Sequence, residues 1–223
     1  MATRTATEPS TRLVVDVWAD VLCPWCYIGE HRLEAAIAQS PHADRIDVSV
    51  RTFEINPHAS SAVVPTLEFL TAKHGVSAAQ GRAMEQRMAG LAAAEGLPFA
   101  IDRPAGNTGD MLRLIHLGAE HGRAWEYLRA MQAEVFRGDY RAFGHATLIR
   151  LGEELGIPSG EIRDVLGSDR YAAAVRADHA EALELGARGV PFTVLGKRLG
   201  IPGAVSTGEY AAAIEQAWEQ VNG

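Results

Sequence analysis

Asp20-Val-Leu-Cys-Pro-Trp-Cys-Tyr-Ile-Gly29 holds both cysteines of the chain, Cys23 and Cys26, three positions apart. The segments on either side decide how it folds. Upstream, Leu13-Val-Val-Asp-Val-Trp18 is a hydrophobic run that reads as a strand, and downstream Leu33, Ala36 and Ile37 recur at helical spacing. The pair therefore sits at a strand-to-helix junction, with Cys23 at the helix start and Pro24 at the first helical position, where a missing N–H costs nothing. Unpaired backbone N–H groups and the positive end of the helix dipole favour an anion there, and a thiolate is such an anion. Cys23 is the expected nucleophile. Cys26, one turn on and on the same face, is placed to attack a mixed disulfide formed on Cys23.

The rest of the composition narrows the setting. With 223 residues, 47% of them hydrophobic, the chain can build one large domain or one domain carrying an insertion. A formal net charge of −7 argues against a nucleic-acid partner, which needs clustered Lys and Arg. No apolar run approaches the roughly 20 residues of a membrane span. The stretch from Met1 to Arg12 is polar, lacks the apolar middle of a secretory signal, and reads as a disordered lead-in, so the expected location is cytoplasmic. In a reducing cytosol a CxxC pair is catalytic or metal-binding rather than a permanent staple, and inside one helical turn it closes almost no loop.

Further along, Arg45-Ile-Asp-Val-Ser-Val-Arg-Thr-Phe53 alternates polar with apolar and reads as a second strand, followed by the turn signal Glu54-Ile-Asn-Pro57. From about Val63 to about Gly186 the pattern is helix after helix. Pro65 opens the first and Gly75 ends it; Ser77 with Gln80 forms a capping box for the next, whose Met84, Met88, Leu91 and Ala92 share a face. Asn107 suits the start of a helix carrying Met111, Leu114, Ile115 and Gly118; Leu128, Met131 and Val135 mark another, and segments 144–155, 159–166 and 169–186 follow. Strand pattern then returns in Gly189-Val-Pro-Phe-Thr-Val-Leu195 and Arg198-Leu-Gly-Ile201, with Gly196-Lys197 as a hairpin turn. A closing helix is boxed by Ser206 and Glu209. The order is β-α-β, a long helical insert, then β-β-α, which makes an α/β fold interrupted by helices.

CxxC at such a junction is a redox signature. Its rival, half of a zinc site, needs two more ligands; no other cysteine exists and the eight histidines show no metal spacing, so no metal is expected. Val190-Pro191, ahead of a strand, asks for an explanation: an edge strand, a bulge or a cis bond. Trp25 and Phe192 could form an apolar rim for substrate, or simply pack. Asn107 is a helix cap or a substrate contact. Asp16, on the strand face of Val14 and Trp18, is either a solvated strand-end residue or a buried proton acceptor for Cys26, and Asp20 opposes thiolate formation if it points inward.

Several motifs together carry a resemblance. Cys23-Pro-Trp-Cys26 with Tyr27-Ile-Gly29, Phe53-Glu-Ile-Asn-Pro57, Asn107-Thr108 ahead of Arg113-Leu114, Phe136 with Gly138-Asp139, and Gly189-Val-Pro-Phe192 with Gly203-Ala204 arrive in the order of the DsbA family. The chain resembles its FrnE-like branch, related to the hydroxychromene carboxylate isomerases and kappa-class glutathione transferases, from about Leu13 to Trp218. That resemblance implies a thioredoxin-like fold at 12–62 and 187–223, an inserted helical domain at 63–186 lying over the active site, and a cis bond at Pro191. It also implies a redox-active dithiol with no bound cofactor, catalytic Cys23 and Cys26, and substrate contacts at Val190, Pro191, Trp25, Phe192 and Asn107. The substrate is a disulfide-containing protein or a small-molecule thiol; glutathione as a co-substrate and pairing as a homodimer stay open. Two departures, Met111-Leu112 where the branch often has Ala-His, and Val205 where it has Gln, remove contacts but do not touch the thiols.

The expected activity is a cytoplasmic thiol-disulfide oxidoreductase or disulfide isomerase. Pro24-Trp25 supplies no basic group, so a middling potential and a mostly reduced dithiol are expected in the cytosol. The competing reading is a glutathione-dependent isomerase or transferase acting on a small aromatic substrate, although those branches typically carry serine where this chain has Cys23. A third makes the insert a partner-binding surface, with the CxxC as vestige or sensor.

Overall fold

The computed structural model describes residues 12–222; all of the expected polar lead-in before Arg12 lies outside the described residues. Strand β1 (Leu13–Ala19) is the hub. It pairs in parallel with β2 (Ile46–Thr52), Val17 opposite Val50, and antiparallel with β5 (Phe192–Leu195), Trp18 opposite Phe192. β5 in turn pairs antiparallel with β6 (Leu199–Pro202), giving the order β2-β1-β5-β6. The β5–β6 connection is tight: Gly196 and Lys197 both take left-handed backbone angles and the Arg198 N–H donates to the Leu195 carbonyl. Positive φ at both central positions is what a type I′ turn needs, and it matches the twist of the flanking strands.

Alternation along β1 sorts the two faces of the sheet. Leu13, Val15 and Val17 face helix α1 (Pro24–Gln39) and helix α9 (Thr207–Asn222), packing with Leu33, Ala36, Tyr210, Ile214 and Trp218. Each aliphatic side chain so buried contributes about 1.5–3 kcal/mol. On the other face Trp18 meets Phe53, Phe192, Val194 and Ala182, the last from helix α8 (Ala172–Glu184).

Between β2 and β5 the chain runs through α2 (Thr66–His74), α3 (Ala78–Ala94), α4 (Gly109–Glu120), α5 (Ala124–Arg137), α6 (His145–Glu154), α7 (Ser159–Leu166) and α8. Both capping boxes form: Ser77 with Gln80 at α3, and Ser206 with Glu209 at α9. Met88 and Ala92 are buried on the predicted face of α3, but Met84 is 46% exposed because it lies at the mouth of a cavity. A ribbon of β3 (Val64–Pro65) and β4 (Pro104–Ala105) carries no sequence signal, being two residues long on each side.

One buried polar knot fastens the helices to the sheet. Asp178 of α8 accepts the Thr52 N–H and hydroxyl on one carboxylate oxygen, at 2.8 and 3.0 Å, with His116 of α4 at 3.2 Å from the same oxygen. Its main-chain carbonyl accepts the Trp18 indole N–H at 2.9 Å.

Candidate active site

The site is made where β1 ends. Cys23 occupies the N-cap of α1, extended in backbone, and its sulfur accepts the Cys26 N–H at 3.4 Å. The Cys23 thiol donates to the Val190 carbonyl at 3.5 Å. The Val190–Pro191 bond is cis. Gly29 explains how that loop gets so near: a Cβ there would lie 3.1 Å from Pro191 Cγ and 3.0 Å from Ala204 Cβ. Cys23, Cys26, Val190 and Pro191 are thus brought together as expected from the sequence, both cysteines as free thiols.

Cys26 is fully buried, and burial pushes its thiol well above the ordinary range, with Cys23 and Glu30 adding to the rise. Asp20, also fully buried, is held by three donors: the Leu22 N–H at 3.1 Å, the Ile55 N–H at 2.8 Å and the Thr108 hydroxyl at 3.2 Å. Desolvation nevertheless raises it to about 6. Its part is to join the loop after β1 to the loop after β2 and to the start of α4. Asp16 is neither of the things its sequence position suggested. It is buried on the α8 face of the sheet and accepts from the Arg51 guanidinium at 3.3 Å, because alternation along β1 turns it away from the α1 side.

Beside Cys23 a cavity of about 310 Å³ opens between α1, α2 and α3, walled by Leu22, Pro24, Trp25, Phe69, Leu70, Met84 and Met88. Trp25, 40% exposed, stands on its rim. Inside, Arg103 is hydrogen-bonded to Glu85 and lies between the rings of Phe99 and Phe136, at 4.7 and 4.8 Å. Phe136 stacks in turn on Tyr27 of α1, centroids 4.3 Å apart. Burial lowers the Arg103 pKa and raises that of Glu85, each opposed by the other's charge. Among the described residues the Arg103 Nε–H has no partner. A size near 300 Å³, apolar walls and a few buried polar groups are what a small ligand or a single large side chain requires.

Two predicted substrate contacts stand elsewhere. Phe192 is buried and packs its ring on Trp18, centroids 5.7 Å apart, because β5 pairs so that this side chain turns to the α8 face. It forms no part of the rim. Asn107 spends both ends locally: one residue before the Thr108 N-cap of α4, its Oδ1 accepts the Gly109 N–H at 2.8 Å, and its Nδ2 donates to Glu54 at 3.2 Å. It borders a separate cleft with Asp110, Tyr140 and His145, not the cavity beside Cys23. Among the described residues no group of three or more His, Cys, Asp or Glu side chains is arranged to hold a metal ion, and no helix is long and apolar enough to cross a membrane.

Sequence reasoning missed Glu30, Glu85 and Arg103. Glu30 carried a usable signal, four residues beyond Cys26 and hence on its face of α1. Glu85 and Arg103 carried none, since charged residues are buried only when a distant partner meets them.

The sequence matches the profile of the DSBA-like thioredoxin domain over residues 14–215. Among solved structures, a probable DsbA oxidoreductase from Streptomyces coelicolor is 40% identical, with a TM-score of 0.86 over 94% of this chain and 91% of that one. A 2-hydroxychromene-2-carboxylate isomerase is 19% identical, with a TM-score of 0.68 over 93% of this chain and 97% of that one. The cytosolic disulfide reductase DsbM from Pseudomonas aeruginosa, also solved with glutathione, is 19% identical with a TM-score of 0.58 over 93% of this chain and 96% of that one. At such identities the likeness of the last two is one of fold. No curated protein sequence gives a match. With a profile spanning nearly the whole chain and a paired dithiol at the head of α1, the protein belongs to the DSBA-like thioredoxin domain family.

Proposed function

We propose that this protein is a cytoplasmic thiol-disulfide oxidoreductase that reduces or isomerises disulfides, with Cys23 as nucleophile and Cys26 as resolving thiol. The carrying observation is the position of the Cys23 sulfur, within reach of the Cys26 N–H on one side and the Val190 carbonyl on the other. The Cys23 thiolate attacks one sulfur of a substrate disulfide, and the other sulfur leaves as a thiolate. Cys26 then loses its proton and attacks Cys23 Sγ. The Cys23–Cys26 disulfide closes, the second substrate thiolate leaves, and two electrons have passed from protein to substrate. The edge at Val190-Pro191 serves extended substrate backbone, while Trp25 and the apolar cavity take an adjoining side chain or the body of a small disulfide. In this reading 12–62 and 187–223 form the thioredoxin-like unit, and 63–186 the insert that walls the cavity.

The cavity's small volume supports a second reading, a glutathione-dependent reaction on a compact apolar substrate. Equilibration against graded reduced and oxidised glutathione, read by thiol alkylation with Cys23→Ser as control, separates the two. A single two-electron transition at roughly −120 to −270 mV is the expected result. A stable glutathione adduct on Cys23 that Cys26 does not resolve rejects the oxidoreductase reading in favour of the second.

A further inference from the structure

Resolution by Cys26 poses a problem that the thiols do not solve. Cys26 is 0% exposed, so its proton has no water to leave with, and a buried thiolate is costly. We propose that Glu30 is the proton acceptor for Cys26 in the resolving step, and that Arg129 holds it there. This rests on the oxidoreductase reading above and adds to it the residue that carries the proton.

Glu30 lies one helical turn beyond Cys26, where side chains of α1 stand roughly 5–6 Å apart at Cβ. It is 1% exposed, and among the described residues neither its Oε1 nor the Gln132 Nε2 has a hydrogen-bond partner. Its Oε2 is 3.4 Å from the Arg129 guanidinium of α5, which also donates to the Tyr27 carbonyl at 3.1 Å and to the Gln132 side chain at 2.8 Å. The groups acting on the carboxyl are thus Arg129 and Gln132 from α5, which favour its charged form, and Glu34 from α1, which opposes it. Tyr210 of α9 lies within electrostatic range of both Glu30 and Cys26. Burial outweighs the favourable contacts and raises Glu30 to about 7.

The two other buried carboxylates near the end of β1 are disqualified by their contacts. Asp20 has both oxygens filled by donors, and Asp16 is paired with Arg51 on the opposite face of the sheet. Of these three, Glu30 alone combines an unfilled oxygen, among the described residues, with a place on the Cys26 face of the helix.

In the mixed disulfide Cys26 is a thiol and Glu30 a carboxylate, and Arg129 compensates their single negative charge. The proton passes from Cys26 Sγ to Glu30 Oε1, so the site still holds one negative charge, now on sulfur. The thiolate attacks Cys23 Sγ, the Cys23–substrate S–S bond breaks, and the substrate sulfur leaves with the electron pair and the negative charge. Neutral Glu30 then returns its proton to solvent by way of the partly exposed Arg129 side.

Reduced protein mixed with an excess of a chromogenic aryl disulfide, dithiobis(nitrobenzoate), releases one aryl thiolate on attack by Cys23 and a second on resolution by Cys26. Stopped-flow absorbance reads the two phases from about pH 5 to about pH 9. In the wild type the second phase is expected to rise through about pH 7, following the carboxyl, rather than only far into the alkaline range of the buried thiol. Glu30→Gln should slow the second phase about a hundredfold and remove its rise near neutrality, leaving the first phase unchanged; Glu30→Asp should restore part of the rate. A second phase that keeps its rate and pH profile in Glu30→Gln overturns the proposal. So does a wild-type second phase that rises only in the alkaline range, a result that needs no variant to fold. Absence of a second thiolate at any pH instead rejects dithiol chemistry as a whole.

Discussion

At Gly29 the active-site helix touches the loop that carries Pro191 and the segment that carries Ala204, with room for a hydrogen and no more. Gly29→Ala should push Pro191 away and move the Val190 carbonyl off the Cys23 sulfur, costing about 1–3 kcal/mol as an overpacked contact. Disulfide exchange with a small substrate should fall more than the melting temperature does, which paired kinetic and thermal measurements would reveal; unchanged exchange would mean that the Val190 contact is not needed. At this scale the sequence was uneven to read. The thiols and the capping residues announce themselves, because their chemistry is local. Phe192 misled, because which way a strand side chain faces depends on a pairing register that β5 finds only against β1. Asn107 fitted two roles; the cap position of α4 falls to Thr108, and Asn107, one residue earlier, bonds Gly109 and Glu54.

Among the elements, the C-terminal end of α7 is tied down by a side chain of α4. Arg113, 9% exposed, donates to the Ser168 carbonyl at 2.6 Å and also to the carbonyls of Val165 and Arg170, closing the end of α7, where the Val165 carbonyl also accepts the Ser168 N–H at 3.3 Å. Arg113→Ala should leave the Val165 carbonyl to the Ser168 N–H alone and the Ser168 and Arg170 carbonyls to water, destabilising the protein by about 1–3 kcal/mol. Denaturant titration would show it, and amide exchange should locate the loss in α7 and the start of α8 rather than in the sheet. The helices themselves were legible from periodicity and caps, and their ends fell within a few residues of the pattern. How they stack was not, since it is set by buried polar contacts of Arg113 and Asp178 that reach 52 to 160 residues along the sequence, such as Arg113 to Val165 and Asp178 to Trp18.

For the whole molecule, two buried carboxyls set an unusual slope of stability against pH. Asp20 and Glu30 are raised to about 6 and about 7, so the folded protein binds these protons more tightly than the unfolded chain. The stabilisation they give when protonated is complete below their unfolded values and is lost as pH rises through their folded ones. Asp178 works the other way: its pKa is lowered by His116 and Thr52 against the opposing effect of burial, and its contribution is lost only as pH falls through its depressed folded value. For Glu30 a rise from 4.5 to about 7 corresponds to about 3 kcal/mol at alkaline pH. Glu30→Gln should therefore gain on the wild type in melting temperature by roughly 5 °C or more between about pH 5 and about pH 8. Calorimetry at the two pH values checks this, and a constant difference would refute it. The same substitution that slows resolution should make the protein sturdier. The position of β5 adds a consequence in time. Val190 follows Cys26 by 164 residues, and at about 5–20 residues per second a ribosome needs roughly 8–33 s to make them. For that interval the nascent chain carries both thiols without the carbonyl that holds Cys23 in place, so a chain abandoned midway never acquires the finished centre.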